Sequence, residues 1–312
     1  MDIIQLTHPL DPKLTKDGEK VVALGYFDGV HLGHQKVIQT AVDEAQKKGR
    51  KAAVMTFHPH PSVVLKQLNK RNDYLTPIEE KADLIRKLGV DELYIVKFDE
   101  AFSQVSSQEF VDDYLIKLNV KHVVAGFDFT YGRMAKGNMT TLENESRNMF
   151  GVTVVSKVDI GNEKVSTTHI RELILGGHVE QAIPLLGRPY KIRGMVVHGD
   201  KRGRTIGFPT ANIKTHAPFV YPKTGVYAVK LASDEGEFNG VCNIGYRPTF
   251  YEQEKTPLIE VNLFDFDGDL YGETVSVYWY KKIRDEQKFS GIDELKTQIA
   301  KDKQQAYDYF SG

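Results

Sequence analysis

Cysteine is nearly absent: Cys242 is the only one in 312 residues. A single thiol excludes an intrachain disulfide and any thiolate-rich zinc or iron–sulfur site, and it fits a reducing compartment. An excess of charge is missing too. The 41 Lys+Arg and 42 Asp+Glu give a formal net charge of −1, which disfavours a globally basic nucleic-acid binder but leaves room for a local basic stripe. No apolar run is long enough to span a bilayer. Met1 to Leu10 lacks the basic-then-apolar order of a secretory signal. A cytoplasmic protein with neither membrane nor nucleic-acid partner is expected. Two nucleotide fingerprints are also absent. Without Gly-x-x-x-x-Gly-Lys-Ser/Thr the chain is not a P-loop NTPase, and without Gly-x-Gly-x-x-Gly it lacks the main dinucleotide signature.

What is present divides in two. Hydrophobic residues make up 41% of the chain, enough for two cores, and the length favours two domains. In the first part, short apolar runs at Val21–Leu24, Ala52–Thr56, Leu93–Val96, His122–Ala125 and Val152–Val155 read as buried strands. Helical periods at Gln35–Lys48, Ile78–Leu88, Ser107–Leu118 and Thr140–Met149 separate them, with Gly49 and Gly89 placed as C-caps. This alternation predicts a parallel α/β sheet, with ligands at the carboxyl ends of its strands.

After Leu186 the pattern changes to glycine- and proline-rich turns. Strands follow at Val226–Leu231, Val241–Ile244, Ile259–Leu263 and Val275–Tyr280, then an amphipathic helix at about Ile292–Tyr309. A small barrel or sandwich is predicted. The boundary is placed near Gly187, giving domains 1–186 and 187–312.

The first candidate site is the segment Gly25-Tyr26-Phe27-Asp28-Gly29-Val30-His31-Leu32-Gly33-His34, between the first strand and its helix. A helix N-terminus offers unpaired N–H groups and a positive dipole end to phosphate. His31 and His34, three apart, share a face if the turn is helical, and could donate to charge developing on phosphorus oxygens. Taken alone, the pair could equally be polar residues near a cap, or two zinc ligands for which no third is evident nearby. His58 and His60 flank Pro59 and look like part of a rigid loop. A second segment, Ser166-Thr167-Thr168-His169-Ile170-Arg171, opens a later helix. Its hydroxyls could cap that helix or bind phosphate, with Arg171 as a fork.

The second candidate site lies in Gly199-Asp200-Lys201-Arg202-Gly203-Arg204-Thr205-Ile206-Gly207-Phe208-Pro209-Thr210-Ala211-Asn212. Residues 188–204 carry six Lys/Arg and one acid, suited to polyphosphate, to RNA, or to a solvated loop. Thr210 and Asn212 alternate, so their oxygens point the same way in an extended segment and could serve Mg²⁺. Glu260 interrupts an apolar strand and could be a general base or a satisfied edge residue. The stretches 243–249 and 269–272 read as turns.

His-x-Gly-His after a first strand, followed by Ser-Thr-Thr-x-Ile-Arg, resembles the nucleotidyltransferase superfamily. Gly-Phe-Pro-Thr-Ala-Asn, Asn-Ile-Gly-x-x-Pro-Thr and Glu-Val-x-Leu-x-x-Phe resemble the riboflavin kinase module. Phe98-Asp99-Glu100-Ala101-Phe102 and Gly126-Phe127-Asp128-Phe129 extend the N-terminal match. Nearly the whole chain therefore resembles the bacterial bifunctional riboflavin kinase/FMN adenylyltransferases, or FAD synthetases. The resemblance implies a Rossmann-like nucleotidyltransferase domain and a small β-barrel with a terminal helix.

It also implies two Mg²⁺-dependent reactions with ATP as co-substrate: riboflavin to FMN, then FMN to FAD with release of pyrophosphate. His31 and His34 would act on the ATP phosphates, with Gly25, Asp28, Gly33, Ser166, Thr167, Thr168 and Arg171 binding them. In the second module Gly203, Arg204 and Gly207 would cover ATP, Thr210 and Asn212 would hold Mg²⁺, and Glu260 would be the base. Asp128 and Arg284 would lie near the flavin. Tyr26, Thr167, Thr130 and Asn262 depart from residues common in the family, and none of the departures removes a residue assigned to chemistry. An adenylyltransferase with a merely flavin-binding C-terminal part, or a flavin-responsive RNA-binding regulator, would not require Thr210, Asn212 and Glu260 together.

Overall fold

The computed structural model describes residues 1–16, 18–65, 72–161, 163–199, 207–246 and 257–312. Packing divides the chain into two compact units, Met1–Thr167 and Thr168–Gly312.

The first unit is built on six parallel strands: β1 (Asp2–Leu6), β2 (Lys20–Leu24), β3 (Lys51–His58), β4 (Glu92–Lys97), β5 (Val120–Gly126) and β6 (Gly151–Val155), in the order β1-β4-β3-β2-β5-β6. Five were expected. β1 escaped because it is an edge strand with only Leu6 fully buried, so its apolar signal is weak. Central β2 is buried on both faces, and alternation sorts its side chains. Val21 and Ala23 pack with α1 (Leu32–Lys47), while Val22 and Leu24 face the opposite layer.

The chain steps from β2 through α1 to β3, past α2 (Pro61–Val64), and through α3 (Ile78–Lys87) to β4. It then returns to the far side of β2 through α4 (Glu100–Ser103), α5 (Ser107–Phe110) and a π-helical turn at Val111–Ile116, and reaches β6 past α6 (Met139–Glu145). The strand order reverses between β2 and β5. In such sheets the crevice outside those two carboxyl ends is where ligands bind.

The predicted helix at 107–118 is thus two conformations, and that at 140–149 stops at Glu145, with Arg147 and Asn148 at positive φ. A short hairpin, β7 (Asp159–Ile160) and β8 (Glu163–Lys164), precedes α7 (Thr167–Gly176), which straddles the division between units.

The second unit holds α8 (Val179–Leu186) and six antiparallel strands: β9 (Tyr190–Val197), β10 (Ala211–Thr215), β11 (Gly225–Ser233), β12 (Gly236–Tyr246), β13 (Pro257–Leu263) and β14 (Thr274–Arg284). They close a barrel in the order β10-β13-β12-β11-β14-β9, and α9 (Ile292–Ser311) follows. Inward residues such as Tyr227, Cys242, Ile259, Val261 and Trp279 are fully buried, with the Tyr227 and Trp279 rings edge to face at 5.1 Å. On the outside, Val226, Ala228 and Val241 cluster with Phe264 and with Ala306 of α9. β9 and β10 were not foreseen, and the segment from Asn243 to Tyr246 is strand rather than turn.

Packing divides the units ahead of the expected Gly187 boundary. α8 lies on β9 and β14, where the Lys282 N–H donates to Glu180 Oε2 at 3.5 Å. Helical period reports that α8 has an apolar face, but not which layer covers it.

Candidate active sites

The Gly25–His34 segment leaves the carboxyl end of β2, at the reversal point of the sheet. His31 is the N-cap of α1: its backbone is extended, and its Nδ1 accepts the His34 N–H at 3.2 Å. An accepting Nδ1 places the proton of the neutral ring on Nε2, the nitrogen able to donate. The His31 and His34 rings stack with centroids 3.5 Å apart and 18° between planes. Gly33 permits this, because a Cβ there would lie 3.1 Å from the His31 ring. Phe27, at φ 53°, turns its ring edge-on to His34 at 5.3 Å. The first turn of α1 carries no acidic side chain to oppose the helix dipole.

Asp28 is held by several hydrogen bonds. Its carboxylate is buried and accepts the Thr76 N–H at 3.0 Å and the Leu75 N–H at 3.3 Å. Its backbone carbonyl accepts the Thr167 hydroxyl at 3.1 Å, and the next residue, Gly29, donates its N–H to Thr76 Oγ1 at 2.8 Å. Asp28 and Thr167 therefore tie the loop down, a role beside the phosphate binding expected of them.

Ser166 directly precedes α7, and Thr168 and Arg171 occupy its first turns; the latter two lie past the division between units. Asp128 sits exposed in the turn after β5, on the other side of the reversal point. His58 and His60 belong to the end of β3 and the cap of α2, where His60 Nδ1 accepts the Ser62 N–H. Burial, followed by the nearby Lys81 charge, lowers the His58 pKa.

The second site is a row across the barrel. Asn212 on β10 is registered with Glu260 on β13, Glu260 with Asn243 on β12, Asn243 with Val226 on β11, and Val226 with Arg284 on β14. The inward residues Ile259, Val261, Cys242 and Ile213 alternate with these, so Asn212, Glu260 and Asn243 share the outer face. Continuing the β10–β13 register by one residue brings Thr210 beside Asn262, whose Nδ2 donates to Pro209 O at 2.7 Å.

Asn212 and Asn262 are both buried, and their Oδ1 atoms have no hydrogen-bond partner among the described residues. Two such carboxamide oxygens beside Glu260 form an oxygen donor set of the kind Mg²⁺ takes. The backbone at Gly199 approaches this set closely enough that a Cβ would lie 2.4 Å from Asn212 Nδ2. Asn262 went unassigned in the sequence, although its position two residues after Glu260 on an alternating strand was the available signal. Gly207 is exposed at φ 89°; Gly203 and Arg204 lie outside the described residues.

Arg284, expected at the flavin, is largely committed elsewhere. Its Nε and Nη2 donate to the carboxylate of Asp302 on α9 at 2.8–3.0 Å, and its Nη1 to Asp285 O at 3.0 Å. Asp302 is 2% exposed. This bidentate pair fastens α9 to the end of β14.

A histidine pair at a helix N-terminus over a parallel sheet, and an amide–carboxylate row on a barrel, are two candidate centres, one in each unit. The family model for FAD synthetase matches residues 13–169, and that for riboflavin kinase matches residues 186–310. A Bacillus subtilis protein described as bifunctional riboflavin kinase/FMN adenylyltransferase is 53% identical, covering 100% of this chain and 99% of its own. A Listeria monocytogenes protein of the same description is 48% identical with the same coverage, and one from Escherichia coli is 39% identical over 93% of this chain and 92% of its own. The chain belongs to the bifunctional riboflavin kinase/FMN adenylyltransferase family. A crystal structure from Streptococcus pneumoniae described as a macrolide-efflux protein is 37% identical with a TM-score of 0.87, covering 96% of this chain and 97% of that one. Among the described residues of the present chain, no helix is long and apolar enough to cross a membrane.

Proposed function

We propose that residues 1–186 adenylylate FMN at the His31–His34 pair, and that residues 187–312 phosphorylate riboflavin at the Asn212–Glu260 row. In the first reaction an FMN phosphate oxygen attacks the α-phosphorus of ATP and pyrophosphate leaves. His31 Nε2–H and His34 donate to the phosphoryl oxygens as charge moves onto them, and the α1 N-terminus adds its dipole. Ser166, Thr168 and Arg171 are assigned to the ATP phosphates, and Asp128 to the flavin. The fixed geometry of the loop supplies orientation before reaction.

In the second reaction Glu260 accepts the proton of the ribityl 5′-hydroxyl as that oxygen attacks the γ-phosphorus of ATP, and ADP leaves. Thr210 and Asn212 would hold Mg²⁺, with Asn262 beside them; when bound, the ion neutralises phosphate charge. Gly203, Arg204 and Gly207 are assigned to ATP, and the Arg284 edge not facing Asp302 to the flavin. Two uses of ATP and one buried thiol, Cys242, fit a cytoplasmic enzyme.

The observation that carries this reading is the capped, stacked histidine pair, because its donors stand ready at a helix N-terminus on the reversal point. One incubation with riboflavin, ATP and Mg²⁺, resolved by chromatography, tests it. FMN should appear first and FAD after it. FMN without FAD, or neither product, overturns the bifunctional reading.

A further inference from the structure

Lys81, on α3, is a buried lysine that neither reaction uses directly. Only 2% of it is exposed. Its Nζ donates to Tyr26 O at 2.7 Å, approaches Thr56 Oγ1 at 3.4 Å, and lies 4.5 Å from the centre of the Tyr26 ring. The Thr56 hydroxyl donates to the same Tyr26 carbonyl at 2.9 Å. Two donors thus converge on one peptide oxygen, and the residue after it, Phe27, holds a positive φ.

A non-glycine residue in that region persists only when its surroundings over-determine it. Phe27 carries the ring that packs edge-on against His34. Asp28 is fastened one step further along by the Leu75 and Thr76 N–H groups. A buried ammonium facing a carbonyl and a hydroxyl is costly unless it fixes something. Here it fixes the turn that places the histidine pair.

We propose that Lys81 is a positioning residue for adenylyl transfer, acting with Thr56 through the Tyr26 carbonyl to hold Phe27 and hence His34 in the geometry that meets the reacting phosphate. The inference rests on the assignment of adenylyl transfer to His31 and His34. The titratable groups facing Lys81 from other elements are Asp28 on the loop after β2 and His58 on β3; Glu80 adjoins it on α3. Burial lowers the Lys81 pKa to about 8, and the Asp28 charge opposes that shift. Near pH 8 the ammonium therefore loses its charge, and with it the attraction to the Tyr26 ring.

The test uses the full chain, with amide exchange of the β2 and β3 core reporting that the first unit of each variant is folded and riboflavin phosphorylation reporting the second. Thr56→Val removes one donor without leaving a charge unpaired, and Lys81→Met removes the other. Thr56→Val should lower kcat for FAD formation from FMN by about tenfold and Lys81→Met by about a hundredfold, with KM for FMN within twofold of the parent. Riboflavin phosphorylation should be unchanged in both. Loss of a polar partner lowers a lysine pKa, so Thr56→Val should also move the basic limb of the FAD-forming pH profile below pH 8, a shift that a merely structural threonine would not cause.

If both variants keep kcat within twofold, the inference fails. It fails equally if Lys81→Met loses both activities together while Thr56→Val leaves kcat and the basic limb in place. His31→Ala run beside them separates the two levels. If that variant still forms FAD at the parent rate, the site assignment and this inference both fall. If it is inactive while the Lys81 and Thr56 variants are normal, only the inference does.

Discussion

The histidine pair of the first candidate site lies on one continuous stretch of chain, Gly25 to His34, folded over the end of a parallel sheet, whereas the second candidate site gathers side chains from separate strands of a barrel. In the first, the same residue supplies chemistry and local structure: His31 is both the proposed phosphate donor and the N-cap of α1. In the second, the cross-strand ladders hold the backbone, and the register of the outward side chains does not depend on the side chains themselves. Damage to the first site should spread along the segment, while damage to the second should stay where it is made.

The largest effect expected is at His31. His31→Ala should reduce FAD formation from FMN by about a thousandfold, and loss of the cap should cost roughly 1 kcal/mol of stability besides. His31→Asn sharpens the comparison, because Asn caps well. It should recover the stability, read from thermal unfolding, and leave FAD formation just as impaired. Recovery of activity along with stability would mean that capping, rather than the imidazole, is what the reaction needs.

Glu260→Gln comes next, with about a hundredfold loss of riboflavin phosphorylation and no change in FAD formation from supplied FMN. Its register with Asn212 and Asn243 is set by backbone bonds, so the thermal transition should move by no more than about 1 °C. A normal phosphorylation rate in this variant would show that another group removes the hydroxyl proton.

The same contrast explains what the sequence could tell. The histidine pair, the glycine beside it and the later hydroxyl segment were legible because a strand–turn–helix keeps its functional residues contiguous, and central strands such as β2 announce themselves by being apolar on both faces. The residues that position the site were not. Thr76, Thr56 and Lys81 reach the loop from 30 to 55 residues away, and a lysine in an amphipathic helix reads as solvent-facing. On the barrel, Glu260 stood out as a charge in an apolar strand. Asn243 was masked by its turn-like neighbours, and Asn262 registered only as a departure from the family pattern. The link from Arg284 to Asp302 spans 18 residues and two kinds of secondary structure, and no local pattern encodes it.

That link gives a smaller effect in the second unit. Asp302→Ala leaves the Arg284 guanidinium, whose side chain is 19% exposed, without its carboxylate. It should destabilise the barrel unit by roughly 2 kcal/mol, below the full range for buried pairs because water reaches the arginine. Trp279, the only tryptophan in the chain, lies inside the barrel, so its fluorescence during urea unfolding follows this unit. FAD formation from FMN should be unaffected. An unchanged midpoint would mean that the pair contributes orientation without stability.

The smallest effect sets the buried Lys81 against the partly exposed Arg284 by pH. Arg284 faces the Asp302 carboxylate. Lys81 faces a carbonyl and a hydroxyl, and burial lowers its pKa from 10.5 to about 8, against the pull of Asp28. Below pH 8 both the folded and the unfolded chain hold the Lys81 proton, and the cost of burying the charge is constant. Between pH 8 and 10.5 the unfolded chain still holds that proton while the folded chain has released it, so the contribution to stability rises with pH across this window. Amide exchange of the β2 and β3 core should therefore slow, relative to a Lys81→Met variant, as the pH is raised from 8 to 10, after correction for intrinsic exchange. Asp302→Ala should show no such slope against the parent. Parallel pH dependence of the parent and the Lys81→Met variant would mean that the folded chain keeps the Lys81 proton through this window, and that burial does not lower its pKa.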